Sequence, residues 1–171
     1  SQAFKLDSSQ PQLLAELERV AEQNGLNDKY AEVLDTVIPD IEENKALAAT
    51  LISTVARLYD EQLADFSRAE RAYRRLLDLD PENPTTALPA INALERMLTA
   101  SESFEQLLEV LRIKSRLVSD PEEQKTILYH MAEIEESVLS RTDSAISLFK
   151  EILDQDDSNM TALLGLERLY E

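Results

Sequence analysis

Apolar residues recur every three or four positions through most of the chain, and this spacing gathers them on one face of an α-helix. The stretch 66–79 is typical, because its small and apolar residues share one stripe while charged residues occupy the other side. The pattern predicts helices over residues 11–24, 28–43, 45–63, 66–79, 86–100, 102–118, 121–139, 142–154 and 158–170. We therefore expect an all-α fold in which first and second helices alternate as hairpins, followed by one further first helix.

Prolines and short polar residues indicate where these helices begin and end. Pro81, Pro84 and Pro121 follow predicted helix ends, where a residue without a backbone N–H cannot continue the hydrogen-bond ladder. The N-cap candidates are Asp28, Ser101 and Asp120. Pro39 and Pro89 fall inside predicted helices and predict a kink or an earlier stop there.

The chain repeats itself along its length. When residue 57 is placed on residue 133, the segment 57–83 falls on 133–159 without a gap, and six positions are identical. Asn44, Asn83 and Asn159 close similar segments, and the second interval between them is about twice the first. The repeating unit is therefore about 36–40 residues, which is the size of a helical hairpin.

These units define the expected domain. We expect one repeat domain over residues 1–171, with repeats at about 11–43, 45–83, 84–120 and 121–157 and a final helix at 158–171. The chain starts without Met, and its last helix lacks the polar face that caps a repeat array. We therefore expect it to be a fragment of a longer protein.

In the most regular unit, Ala69, Tyr73 and Pro81 follow Phe66 at a characteristic spacing. The helix before them contributes Ile52, Val55, Ala56 and Tyr59. This pattern resembles the tetratricopeptide repeat, with one extra residue in the turn before Phe66. The resemblance implies an α–α superhelix with first helices along its concave face and second helices outside, similar to long irregular arrays in some bacterial proteins.

The other units keep the pattern less completely. Ala145 and Phe149 match it, whereas Glu135 stands where the repeat usually has Tyr. In the two remaining hairpins, Val33 and Leu107 stand where the repeat has a small alanine. A small residue lets two helix backbones approach closely, so we expect these two hairpins to cross at a wider separation.

Composition narrows the classes of function. With Gly 2 and Cys 0, the chain has few residues for phosphate loops and none for disulfides or thiolate chemistry. A net charge of −17 repels nucleic acid, and the longest charge-free apolar stretch, 46–56, is too short for membrane insertion. A cytoplasmic location is slightly favoured, and a periplasmic or secreted one is compatible with the sequence.

Residues that could bind a metal or catalyse a reaction do not form a recognisable site. The segment 154–159 begins like a calcium loop, but Asn159 and Gly165 stand where that loop needs Gly and a bidentate Glu. The single histidine, His130, has no second histidine or any cysteine to complete a metal site. We predict a non-enzymatic chain with no cofactor and no metal.

Arginines cluster on one predicted helix, at positions 68, 71, 74 and 75. One interpretation is a binding site for an anion. The other, which we favour, is a solvated outer face neutralised by nearby carboxylates. Glu70 is one turn before Arg74, and Asp78 lies within reach of both Arg74 and Arg75.

The face lined by first helices is the better binding candidate, because the resemblance places these helices along the concave groove. The residues expected there are Thr50, Ser53, Arg57, Asp60, Glu61, Thr126, Tyr129, Glu133 and Glu136. Arg57, Arg96 and Arg168 occupy corresponding positions, and we expect a row of guanidiniums that receives a carboxylate or carbonyl of a protein or peptide partner. The alternative is that each Arg pairs with a Glu one turn away.

The last predicted helix suggests a different function. An apolar stripe runs along it through Leu163, Leu166, Leu169 and Tyr170, and no second helix follows to cover it. The chain would then be a structural spacer or a self-associating array, a homo-oligomer in which this helix packs on a second copy.

Overall fold

The computed structural model describes residues 10–170, and within them the chain is helical without β-strands. The α-helices are α1 (Gln10–Gln23), α2 (Asn27–Val37), α3 (Lys45–Arg57), α4 (Phe66–Leu79), α5 (Pro84–Ala100), α6 (Phe104–Leu117), α7 (Pro121–Glu133), α8 (Thr142–Gln155) and α9 (Met160–Tyr170). This confirms the all-α prediction and the order of helices. The ends of the predicted domain, residues 1–9 and Glu171, lie outside the described residues.

The chain divides into two compact units between Pro81 and Glu82. In the first unit α1 packs on α2, α2 on α3, and α3 on α4. In the second unit α5 packs on α6, α6 on α7, α7 on α8, and α8 on α9. Each unit is thus built from helices that pack on their neighbours in sequence, as expected for stacked hairpins. The single repeat domain and its repeat boundaries remain a prediction.

Small residues lie at the centre of the two most regular hairpins. Ala69 of α4 and Ala145 of α8 have no exposed surface, and Ala56 of α3 and Ala132 of α7 are equally buried. Alanines at these places let the two helices of a hairpin approach closely. The prediction for Val33 was wrong, because its side chain is exposed and another residue of α2 provides the buried alanine.

Asn or Asp side chains cap the first helices of successive hairpins. Asn44, Asn83, Asp120 and Asn159 immediately precede α3, α5, α7 and α9. Each side chain accepts a hydrogen bond from a backbone N–H in the first helical turn. The recurrence of asparagine along the sequence therefore has a capping function, and Asp120 supplies the copy in which asparagine is absent.

Two other predicted caps were wrong. Asp28 is the second residue of α2, which begins after Leu26 without a side-chain cap. Ser101 follows the last residue of α5, and Ser103 rather than Ser101 precedes α6. In both cases the sequence places a polar residue near the helix start, but the turn geometry shifts the boundary by one or two positions.

The two interior prolines behave differently. α2 stops at Val37, and a short 3₁₀-helix (Ile38–Ile41) contains Pro39, so the predicted earlier stop is confirmed there. α5 runs through Pro89 without stopping. Pro89 has no backbone N–H to donate to the carbonyl of Thr85. Both residues are exposed, so water can donate to that carbonyl instead.

The first and second helices of every hairpin are joined through a residue with left-handed backbone. These residues recur at the repeat spacing: Gly25, Ala64, Glu102 and Ser140, with φ between 50° and 65°. Before two of the turns, at 58–62 and 134–138, the helix widens into a π turn. A π turn takes up one additional residue, which accounts for the extra residue before Phe66.

We predict that substitutions at two of the left-handed turn residues change the free energy of unfolding in opposite directions. Gly25→Ala should lower the free energy of unfolding by about 1 kcal/mol, because a residue with a Cβ is strained at this left-handed φ. Steric contact adds nothing to this cost, because the new Cβ would meet open space. Ser140→Gly should raise the free energy of unfolding by about 0.5–1 kcal/mol for the converse reason. Urea denaturation followed by circular dichroism measures both.

The matched control for this prediction is Ser147→Gly on the exposed side of α8, where the backbone is helical. There the same chemical change should lower the free energy of unfolding by about 0.5 kcal/mol. A destabilising effect of Ser140→Gly similar to that of Ser147→Gly would contradict the role assigned to the left-handed turn.

Candidate functional site

The second unit contains a cavity of about 540 Å³ on the side formed by its first helices. Its wall comes from α7 and the π turn that follows, from α9, and from one aromatic ring of α8. The lining residues are Tyr129, Glu133, Glu136, Ser137, Phe149, Thr161, Leu164, Gly165 and Arg168. Polar and apolar groups therefore face the same space.

Gly165 determines how closely α9 approaches the floor of this cavity. It is buried in the middle of α9 beside the ring of Phe149. A Cβ at Gly165 would lie 2.7 Å from Cζ of Phe149, which is closer than real carbon atoms approach. The absence of a side chain therefore lets the ring lie directly beneath α9.

Tyr129 connects α7 to the beginning of α9. Its hydroxyl donates a hydrogen bond to Oδ1 of Asn159, the residue that also caps α9. Its ring lies 6.3 Å from the ring of Phe149 at an interplanar angle of 54°. This tilted aromatic pair fixes one wall of the cavity relative to its floor.

The turn that leads into α9 is held by charge. Hydrogen bonds from the Asn159 amide, the Ser158 hydroxyl and the Lys125 ammonium hold the pKa of the Asp156 carboxyl below its usual range. Asp156 is therefore ionised at neutral pH, and Lys125 on α7 also lies 2.8 Å from Glu122. These contacts position the capping residue of α9 against α7.

Two carboxylates line the cavity, and only one of them belongs to an ion pair. Nη2 of Arg168 donates a hydrogen bond of 2.6 Å to the carboxylate of Glu136. This ion pair links α9 to the turn after α7. Glu133 is exposed and belongs to no ion pair among the described residues. Glu135 does not line the cavity, and its carboxylate lies 3.7 Å from the guanidinium of Arg141.

The structure brings together three of the predicted site residues, namely Tyr129, Glu133 and Arg168, and adds Glu136 from the predicted groove. Thr126 is exposed on α7 but does not line the cavity. Their convergence follows from helical spacing on α7, together with the position of α9. Whether a partner uses them stays a prediction.

The remaining predicted residues of the first unit are ordered by contacts within that unit. Arg57 donates a hydrogen bond to Glu18 of α1 and lies 3.9 Å from Glu61. The hydrogen bond to Glu18 raises the pKa of Arg57 above its usual range. Asp60 accepts a hydrogen bond of 3.3 Å from the hydroxyl of Tyr73, and Ser53 is exposed.

Two of the three predicted guanidiniums have carboxylate partners of their own. Arg57 and Arg168 each reach a glutamate of the preceding first helix or of the turn after it, about one repeat earlier in the chain. The alternative, a Glu one turn away, describes the longer contact of Arg57 with Glu61. Arg96 is exposed on α5 and also has an interaction partner.

Three of the four arginines of α4 follow the neutralised-face interpretation. Arg74 pairs with Glu70 at 3.0 Å, as predicted. Arg68 pairs with Asp65 at 2.7 Å, and Arg75 pairs with Glu42 at 2.5 Å rather than with Asp78. Partly exposed pairs of this kind contribute little stability individually, but they neutralise these three arginines, whereas Arg71 is exposed and belongs to none of the pairs.

Sequence reasoning missed five residues that line the cavity, which are Ser137, Phe149, Thr161, Leu164 and Gly165. Gly165 carried a usable signal, because it is one of only two glycines and lies inside a helical pattern. The other four resemble ordinary surface or core positions. Their roles depend on the packing of α9 against α8.

The apolar stripe on α9 is only partly exposed. Leu163 and Tyr170 are 42% and 63% exposed, whereas Leu166 and Leu169 are half-buried. Met160, which the prediction omitted, is 64% exposed. The prediction of self-association through this helix stays a prediction.

Residues 10–170 contain no group of three or more His, Cys, Asp or Glu side chains arranged to hold a metal ion. Every described helix is too short or too polar to cross a membrane.

Comparison with known proteins identifies the fold. A crystal structure of nearly identical TPR-like repeats from a Podosopora anserina kinesin light chain matches with a TM-score of 0.50 and 16% identity, covering 95% of this chain and 86% of that one. The chain has the tetratricopeptide-like repeat fold. Tetratricopeptide-like folds generally mediate protein–protein interaction and are typically non-catalytic.

A sequence relative extends the comparison. The chain is 37% identical over 95 residues to Cellulose synthase operon protein C of Pseudomonas fluorescens (strain SBW25). That match covers 51% of this chain and only 7% of the relative, so the tetratricopeptide-like chain spans a small part of the relative's length. No protein-family model matches the chain.

We predict that Gly165→Ala lowers the free energy of unfolding by about 1–2 kcal/mol, because the new methyl group must displace the buried ring of Phe149. Helix propensity alone would give a gain of about 1 kcal/mol, so the sign identifies the close contact. Urea denaturation measures the change. In a Phe149→Leu background, the added methyl should cost much less, and an unchanged cost there would contradict the explanation.

Proposed function

We propose that this chain is a non-catalytic scaffold that binds a peptide or protein segment across its first helices. The binding position is the cavity between α7 and α9, and this cavity is the observation that carries the proposal. The tetratricopeptide-like fold supports a protein partner. The site needs no cofactor, because recognition uses side-chain contacts alone.

The cavity has the size and lining that peptide recognition requires. Its volume of about 540 Å³ lies within the usual range for binding pockets and accommodates one or two side chains. Phe149, Leu164 and Gly165 provide an apolar floor, and the carboxylates provide polar contacts at its side. Because the lining comes from rigid helices, a ligand finds a preformed surface.

The relative supports a biological setting for this scaffold. Similarity to part of Cellulose synthase operon protein C favours a role connected with cellulose synthase. Within the cavity, a protein segment suits the lining better than a glucan chain. Sugar rings usually stack on exposed aromatic faces, whereas Phe149 is buried and Tyr129 is only partly exposed.

Filling the cavity should abolish peptide binding without unfolding the chain. Thr161→Trp places an indole in the cavity from an exposed position on α9, and should weaken binding at least 10-fold. The probe is a fluorescein-labelled peptide selected on the wild-type chain from a random phage library, and fluorescence anisotropy measures its dissociation constant.

Ser147→Trp is the matched control, because Ser147 is exposed on α8 and does not line the cavity. It should leave binding unchanged. Equal affinity of the wild-type chain and Thr161→Trp for every selected peptide would reject the cavity as the binding position.

Self-association is a second candidate function, favoured by the exposed Met160, Leu163 and Tyr170 on α9. If a second copy covers this surface, Leu163→Asp should convert a dimer to a monomer in sedimentation velocity, because a buried unpaired carboxylate is costly. Leu163 does not line the cavity, so peptide binding should survive the change. A wild-type chain that stays monomeric at high concentration would reject this candidate.

A further inference from the structure

We propose that the cavity between α7 and α9 selects a cationic side chain, Lys or Arg, from the peptide that it binds. This inference rests on the proposed function and specifies the chemistry of its ligand. Two carboxylates line the cavity, on Glu133 and Glu136, against the single guanidinium of Arg168. The cavity therefore carries an excess of negative charge.

The contact between Glu136 and Arg168 shows how this wall holds a guanidinium. The two groups are 2.6 Å apart, and the side chain of Glu136 is 23% exposed whereas that of Arg168 is 64% exposed. The carboxylate thus lies in the wall while the cation reaches it from the solvent side. A ligand's cation can approach the neighbouring carboxylate from the same direction.

Glu133 is the carboxylate available to that ligand. It is the last residue of α7, Glu136 lies in the π turn that follows, and both carboxylates line the cavity. Unlike Glu136, it has no ion-pair partner among the residues described. A lysine or arginine head bound here would make a charge-assisted hydrogen bond without displacing Arg168.

The apolar part of the cavity suits the stem of the same side chain. Leu164 is largely exposed and shares the lining with the ring of Phe149. The methylene groups of lysine or arginine pack readily on such surfaces while their charged ends remain near water. The ring of Tyr129 provides a further attractive surface for a cation.

Other ligand classes fit less well. An acidic side chain would meet the carboxylate of Glu133, and the guanidinium of Arg168 is already partly neutralised by Glu136. A purely aliphatic side chain would remove water from Glu133 without replacing the lost hydrogen bonds. The net charge of −17 on the chain also attracts basic segments at long range.

The test combines an unbiased selection with one charge substitution. Random heptapeptides displayed on phage are selected on the wild-type chain, and recovered sequences should be enriched in Lys or Arg. For a fluorescein-labelled recovered peptide, Glu133→Gln should weaken binding by about 10-fold or more in fluorescence anisotropy. Replacing the peptide's cationic residue with Gln should weaken binding to the wild-type chain by a similar factor. The same replacement should change binding to the Glu133→Gln variant little further.

Glu123→Gln is the matched control, because Glu123 is exposed on the same helix, outside the cavity, and loses the same charge. Binding should change less than twofold. Equal weakening by Glu123→Gln and Glu133→Gln would overturn the inference, because nonspecific attraction would then explain the preference.

The outcomes also separate the inference from the proposed function. Peptides without a cationic preference whose binding is lost in Thr161→Trp would overturn the inference and leave the proposed function standing. Peptides whose binding is unaffected by Thr161→Trp would overturn both the inference and the proposed function, because the cavity would then not be the binding position.

Discussion

Close approach between packed helices is the constraint on which the rest of this structure depends. In the regular hairpins, alanines such as Ala69 and Ala145 are fully buried where two helices meet. At α9 the requirement is stricter, since Gly165 has no room even for a methyl group beside Phe149. The candidate site inherits its shape from that contact, because α9 can then lie near α7 and enclose a cavity with it.

The connections between helices maintain this packing. A left-handed residue ends the first helix of each hairpin, and a capping Asn or Asp starts the next first helix. In the two most regular hairpins a π turn comes before the left-handed residue, at equivalent positions of the repeat. Local backbone geometry therefore determines where each helix begins and ends, and helix packing determines which faces meet.

Charge has a different role from packing. Many arginines that could form a basic surface are paired with carboxylates, either within α4, at the residue that caps it, or in the turn before α3. In the cavity this neutralisation is incomplete, because Arg168 matches only one of two glutamates. An acidic cavity with an apolar floor is a more specific surface than either the arginine cluster or the general negative charge of the chain.

Local sequence was sufficient for the helices, the repeat length and the positions of the buried alanines in the regular hairpins. Helical periodicity also placed Tyr129 and Glu133 on one side of α7, since residues four apart share a face. It failed at Val33 and at two caps, where a shift of one or two positions changed the outcome.

Partner choice across the hairpins was decided by tertiary structure. Arg57 pairs with Glu18 and Arg168 with Glu136, and in both pairs the two residues belong to different repeats. Phe149 and Leu164 enter the cavity only because α9 packs on α8. The sequence alone determined which helices form and which of their faces are apolar; packing alone decided which side chains from different helices meet, because that depends on how closely those helices approach.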